Sequence, residues 1–344
     1  MKSEKDTLFI EKTSIKESIS KNETSVDLLI LEEFLEAHYG KYLAQIFTNE
    51  WKVEQATKSI IKWEDEHGKA LALLFENESQ KVLLTELNDK LKRAAEIYQK
   101  DLKMAAAVQQ SLLHKEPPVT NNYDIAFCYI PMSSVSGDFY DFYVNENNDL
   151  TGLVIADVSG HGIASGLLTT LAKPIMYKMV RDNPDMPLGN IMNLIHNELV
   201  KEIEESSYYF TTIILKFLDH TVEYVNAAHP EMLIKSKNDC HFLRKNDESI
   251  TGPMIGLKAV TYEYDSITFN IEKDDFLIIF TDCIIESKNK ENEELGIEKL
   301  QEVVSNSTAN TAQDLLSELL QVHLDHVGDM NVKDDLTIII IKRK

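Results

Sequence analysis

Two textures divide this chain. Along residues 26–113 the apolar positions recur at three- and four-residue steps, and beyond Pro117-Pro118 they gather into short β-branched runs. In the first part Leu28, Leu31, Leu35 and Tyr39 fall on one face of an amphipathic helix, with acidic residues between them. Trp51, Ile60, Ile61, Trp63, Leu71, Leu74 and Phe75 mark further helices in a stretch without proline. A small all-helical regulatory domain is therefore expected over 26–83. From Leu84 the steps tighten to heptads through Leu87, Leu91, Ala94 and Tyr98, break at Asp101, and resume at Ala105, Val108 and Leu112. This predicts a long linker helix over 84–116, which either lies on its own domain or pairs with a second copy as a coiled coil. Residues 1–25 are polar and read as a flexible arm. Pro117-Pro118 stops the helix and places a second domain at 117–344.

In that second domain, strand-length apolar runs occur at 125–129, 152–156, 210–217, 221–226, 232–234, 267–271, 276–280 and 336–341. Helical stretches at 163–180 and 188–204 separate the second run from the third, and two more, at 297–304 and 312–322, precede the last. The turn at Asp219-His220 joins two runs into a hairpin. Strands and helices do not alternate strictly, so the expected class is α+β, a layered sandwich of mostly antiparallel sheets.

Composition narrows the setting. A hydrophobic fraction of 43% supports a sizeable core, and a formal net charge of −22 disfavours nucleic acid and anionic membrane as partners. The three cysteines, Cys128, Cys240 and Cys283, have no metal-binding or disulfide spacing. The N-terminus lacks a signal-peptide core and no apolar run is long enough to span a bilayer, so a cytoplasmic protein is expected.

The candidate chemistry lies at strand tips. Asp138 sits in Ser136-Gly137-Asp138-Phe139-Tyr140-Asp141. Asp157 follows the run 153–156 and opens Asp157-Val158-Ser159-Gly160-His161-Gly162. Asp282 ends the run 276–281, and Asp334-Asp335 precede 336–341. A carboxylate beside a buried strand is costly unless it is paired or bound to a cation. Singly, each has a plain structural reading as a turn, a helix cap or a charge guarding a sticky strand edge. Jointly they suggest strand ends converging on hard metal ions, magnesium or manganese rather than zinc.

These segments, with Asn226-Ala227-Ala228-His229-Pro230, Thr251-Gly252-Pro253-Met254-Ile255-Gly256-Leu257 and Thr281-Asp282, resemble in order and spacing the motifs of bacterial sporulation-stage-II-E-type serine phosphatases. Those belong to the metal-dependent PPM, or type 2C, protein phosphatases. Gln109-Gln110-Ser111-Leu112-Leu113 is similar to the end of the linker in stress-response members. The resemblance implies an αββα sandwich with two Mn2+ or Mg2+ ions between the sheets. Asp157 would bridge both ions with help from the Val158 carbonyl, Asp138 would hold one ion, and Asp282 and Asp334 the other. Asp157 and Asp138 are thus the leading catalytic candidates, while His161, Asp141, Cys283 and Asp335 lie near the site in a lesser role.

The activity implied is hydrolysis of a phosphoserine or phosphothreonine by metal-activated water. The implied substrate is a phosphorylated anti-sigma-factor antagonist of the STAS type in a partner-switching pathway. An activator protein would bind the N-terminal helices, and the linker would form a homodimer. The chain departs from the family pattern at Ser136, at Ala228 and at Cys283, all three standing where glycine is common. A positive φ at Cys283 would strain the backbone beside Asp282, and its thiol would open a redox route to the site. A degenerate domain that captures a phosphoprotein without hydrolysing it is the alternative. A two-metal nuclease is disfavoured by the charge.

Overall fold

In a computed structural model of the chain, the described residues are 78–160, 162–203, 208–237, 239–245, 248–257, 262–328 and 334–344. The arm at 1–25, the helical domain up to residue 77, and His161 lie outside them. Two compact units are present, Met1–Lys100 and Asp101–Lys344. Of the first, the described part is helical and belongs to α1 (Glu78–Ser111). This helix starts ahead of Leu84 and ends at Ser111, so the expected extent of 84–116 is corrected at both ends. Its end is set before the prolines because the following residues are tied to the sheet. The Tyr140 hydroxyl donates to the His114 carbonyl at 2.5 Å, and His114 Nε2 lies 3.0 Å from Asp141 Oδ1.

The second unit is built on two antiparallel five-stranded sheets. One has the order β1 (Tyr123–Ile130), β12 (Leu336–Arg343), β11 (Phe276–Phe280), β6 (Leu233–Lys235), β7 (Cys240–Phe242). The other runs β10 (Ser266–Asn270), β5 (Thr221–Ala227), β4 (Phe210–Leu218), β3 (Leu150–Val158), β2 (Asp138–Val144). A charged two-residue pair, β8 (Arg244–Lys245) and β9 (Glu248–Ser249), makes a minor hairpin.

Three apolar layers explain the stacking. Alternate residues of both sheets, among them Tyr140, Leu153, Ile155, Ile213, Leu277, Ile279 and Ile339, meet in a central core. On the outer face of the β2–β5 sheet, Val154, Ala156 and Ile214 bury against α2 (Ile163–Asp182) and α3 (Leu188–Glu202). On the outer face of the other sheet, Ile278, Ile338 and Ile340 bury against α5 (Ile297–Asn306) and α6 (Ala312–Val327). A four-residue helix, α4 (Cys283–Glu286), follows β11 directly. The layers are therefore helix, sheet, sheet, helix. The central strands are buried on both faces, which is why their sequences are continuous apolar runs rather than alternating ones. Within this pattern β2 is an addition, since Gly137 just before it and Asp138 at its start are turn residues ahead of its aromatic positions.

Candidate metal centre

Asp138 opens β2 and Asp157 lies one residue before the end of β3, and the antiparallel register sets them directly opposite each other. The approach is close enough to demand glycine at 137. A Cβ there would meet the Val158 carbonyl oxygen at 2.8 Å and that of Gly160 at 3.1 Å. Val158 N donates to the Gly137 carbonyl at 3.1 Å, which turns the Val158 end of β3 toward the start of β2.

Asp335 braces this turn from the other sheet. Its Oδ2 accepts from Gly137 N and its Oδ1 from Met132 N, both at 2.7 Å. Both of its oxygens are thereby engaged by main-chain amides, and Asp335 acts as a strut of the loop carrying Asp138. Asp138 is 1% exposed, and its Oδ2 accepts from Thr281 Oγ1 at 3.0 Å and Thr337 Oγ1 at 2.5 Å. The two threonines stand at the start of the Asp282 turn and on β12, and they are joined by Thr281 N donating to the Thr337 carbonyl at 3.0 Å. Asp282 follows β11 by two residues and Asp334 precedes β12 by two, on neighbouring strands of the second sheet. Two carboxylates thus come from each sheet to the same end of the sandwich.

Their electrostatics are those of an acidic cluster that the described chain does not neutralise. Burial, then the charge of Asp157, pushes Asp138 well above the usual carboxylate range. Burial, followed by Asp282, Asp334 and Asp335, raises Asp157 to about 8. Burial, Glu286 and Asp334 raise Asp282 to about 6. No lysine or arginine among the described residues is one of the groups acting on these three. Among the described residues, no three side chains of His, Cys, Asp or Glu are drawn into a closed ligand group. The donor set is instead an open one, carboxylates from two sheets with the Val158 carbonyl beside them. It fits a hard cation, which takes oxygen donors and keeps several waters.

Asp141 belongs elsewhere. Side chains alternate along β2, so Asp138 and Tyr140 face the opposite sheet while Phe139 and Asp141 face the helix layer. There Asp141 Oδ1 pairs with Lys173 Nζ of α2 at 2.7 Å. Its expected place near the site is corrected for that reason. Cys283 is buried as the first residue of α4 and is absent from the residues with positive φ. Its thiol lies 3.5 Å from the Asp334 carbonyl, and burial holds it up at about 12, so it stays protonated. Cys283 thus needs no positive φ, the condition under which it would have been strained, whereas Ala228 holds φ 56°.

Three contributors went unassigned as individual residues. Thr281 and Thr337 look like ordinary strand formers in sequence. Gln109, at the end of α1, is 3% exposed; its Nε2 donates to the Ser136 carbonyl and Thr169 Oγ1, both at 2.7 Å, and its Oε1 accepts from Ser136 N at 3.0 Å. Its signal in the sequence was its place at the head of Gln109-Gln110-Ser111-Leu112-Leu113, the segment similar to the linker end of stress-response members.

Comparison with known proteins gives this arrangement a family. Residues 147–344 match the family model for Stage II sporulation protein E (SpoIIE). The chain belongs to the SpoIIE family. It therefore carries a PPM-type phosphatase domain of the protein serine/threonine phosphatase class. The SpoIIE match holds Asp157, Asp282 and Asp334, while Asp138 precedes it on the strand paired with β3. The chain is 27% identical over 248 residues to phosphoserine phosphatase RsbU of Bacillus subtilis, covering 71% of this chain and 70% of that one. It is 28% identical over 191 residues to phosphoserine phosphatase RsbP of the same organism, covering 54% of this chain and 45% of RsbP. Its fold is similar to the SiaA PP2C domain of Pseudomonas aeruginosa, with a TM-score of 0.62 at 13% identity over 72% of this chain and 98% of that domain.

Proposed function

We propose that this SpoIIE-family protein is a metal-dependent phosphatase that removes phosphate from a phosphoserine or phosphothreonine of a partner-switching regulator, an anti-sigma-factor antagonist of the STAS type. The observation that carries the reading is the placement of Asp138 and Asp157, opposite each other on one sheet, against Asp282 and Asp334 on the other, with no cation among the described residues to offset the first three. Asp157 would bridge two Mn2+ or Mg2+ ions with the Val158 carbonyl beside it, Asp138 would hold one ion, and Asp282 and Asp334 the other. Bound there, such ions supply an activated water and neutralise charge on the phosphoryl group. The chain's own part is positioning. Thr281 and Thr337 engage Oδ2 of Asp138, so that Oδ1 would be the oxygen offered to an ion, and Asp335 holds the turn beneath it.

Similarity to RsbU and RsbP supports the substrate class. Exposed Met104 and Val108 on the last turns of α1, with exposed Leu112 just past its end, support pairing of two copies through the linker, with an activator acting on the N-terminal helices. No described helix is long and apolar enough to cross a membrane. The alternative of a degenerate, non-hydrolysing domain rested on Cys283, whose backbone is unstrained here. The test is phosphate release from phosphorylated STAS proteins, with manganese and magnesium compared. The expected result is metal-dependent release that Asp157→Asn reduces by several orders of magnitude. Release unaffected by a chelator or by that substitution would remove the mechanism, and inactivity toward STAS phosphoproteins with activity on other phosphoproteins would remove the substrate class alone.

A further inference from the structure

His229 is 4% exposed, lies outside the ligand set, and leaves one ring nitrogen, Nε2, without a hydrogen-bond partner among the described residues. A buried polar atom without a partner costs on the order of 1–3 kcal/mol, so an orphan of this kind calls for a physical account. The backbone around it is held firmly. Asn226 Oδ1 accepts from His229 N at 2.8 Å, and Asn226 Nδ2 donates to the His229 carbonyl at 2.9 Å. Ala228 is fixed by its N–H donating to Thr251 Oγ1 at 2.8 Å. The ring has been aimed by this loop rather than left to find its own place.

Its surroundings connect the two halves of the acidic cluster. Nδ1 lies 2.7 Å from Thr211 Oγ1, and Thr211 is the residue directly opposite Asp157 on β4. The Phe280 main-chain carbonyl, the other polar group acting on the ring, belongs to β11, two residues before Asp282. Burial drives the imidazole down to about 3, so it carries a single N–H. Were that proton on Nδ1, the lone pair of Nε2 would be directed toward the carbonyl side and repelled. With the proton on Nε2, Thr211 donates to Nδ1 and Nε2–H faces Phe280. The ring then bonds Thr211 on one sheet and presents Nε2–H toward the Phe280 main chain on the other, without a completed hydrogen bond in this structure.

We propose that His229, as the Nε2–H tautomer, is a positioning residue that ties Thr211, opposite Asp157, to Phe280, ahead of Asp282, and so sets the spacing of the carboxylates contributed by the two sheets. The inference rests on the metal reading above and assigns the ring no contact with substrate or ion. Groups that orient metal ligands from behind typically change metal affinity or activity by roughly 10–100-fold when removed.

The experiment measures Mn2+ binding by titration calorimetry to the full chain, with thermal melting alongside. The proteins are the unaltered chain, His229→Leu, His229→Gln, Thr211→Val and the variant combining His229→Leu with Thr211→Val. The expected result is a loss of affinity of roughly 10-fold or more in His229→Leu and Thr211→Val. His229→Gln is expected to recover most of it, because its carbonyl oxygen accepts from Thr211 and its amide donates toward Phe280. The Leu and Val changes combined are expected to cost no more than the larger of the two, as for groups acting as one unit. If His229→Leu melts early, Thr211→Val decides, since it removes one hydroxyl while keeping shape. Unchanged affinity in the folded variants, or failure of Gln to recover it, overturns the inference. So do nitrogen chemical shifts placing the proton on Nδ1. No Mn2+ uptake by the unaltered chain would overturn the metal reading itself and this inference with it. Normal uptake by that chain and the variants alike would overturn the inference alone.

Discussion

Ala228 holds φ 56° between the end of β5 and His229, a left-handed conformation that costs a residue with a Cβ roughly 1 kcal/mol relative to glycine. The loop keeps it there through Thr251 and the paired bonds of Asn226. Ala228→Gly is therefore expected to stabilise the protein by up to about 1 kcal/mol, a rise in melting temperature of about 2–4 °C. A melt that is unchanged or lower would show that the loop relaxes without cost. At this scale the sequence was informative about which residues depart from the family pattern, but not about where strain resides. Backbone angles depend on how a loop is closed: Cys283 begins a helical turn, whereas Ala228 must reverse the chain out of a buried strand. The carboxylates at strand tips were legible because burying charge beside an apolar run is costly. The threonines beside Asp138 were not, since a hydroxyl in a strand is compatible with many surroundings.

Between elements, the turn leading into β2 is held by side chains far away in sequence. Gln109 saturates both main-chain groups of Ser136, which is fully buried. Gln109→Ala leaves a buried N–H and carbonyl without that partner and is expected to cost about 2 kcal/mol or more. Chemical denaturation should reveal the loss, and hydrogen exchange should report faster opening at Ser136 and Gly137 than in β3. Uniform exchange across both would contradict a local brace. Gly137→Ala tests the other side of the same junction. Its Cβ meets a main-chain oxygen at 2.8 Å, so the backbone must shift rather than a side chain. A loss of roughly 1–3 kcal/mol together with weaker Mn2+ binding is the expected outcome, and wild-type binding would place the Asp138 ligand outside the centre. The doubly buried strands could be anticipated from their continuous apolar runs. β2 could not, because glycine and aspartate at its start read equally well as a turn. Without a strand over 138–144, the sequence does not show that Asp141 falls on the face opposite Asp138, where it meets Lys173.

Across the whole molecule, the unneutralised carboxylates couple stability to pH and to cations. Asp157 stands at about 8 in the fold against 3.8 ordinarily, and Asp282 at about 6; Asp138 is displaced in the same direction. The folded protein without metal therefore retains protons that the unfolded chain has released. The contribution of these groups is fully present below about pH 3.8 and is lost as pH rises, through about 6 for Asp282 and about 8 for Asp157. Replacing Asp157 with asparagine removes one titrating group. In the presence of a chelator, Asp157→Asn should lose less stability between pH 5 and pH 8 than the unaltered chain, even as it abolishes hydrolysis. Divalent cation reverses the trend in the unaltered protein, because ionised carboxylates bind it better than protonated ones. The gain in melting temperature from Mn2+ should thus be small near pH 5 and grow toward pH 8. Parallel melts of the two proteins, with chelator and with Mn2+, separate these effects from the rest of the acidic surface, whose titration is common to both. A gain from Mn2+ that is independent of pH, or an identical pH slope in the two proteins, would mean that Asp157 is not held protonated at the junction of the sheets.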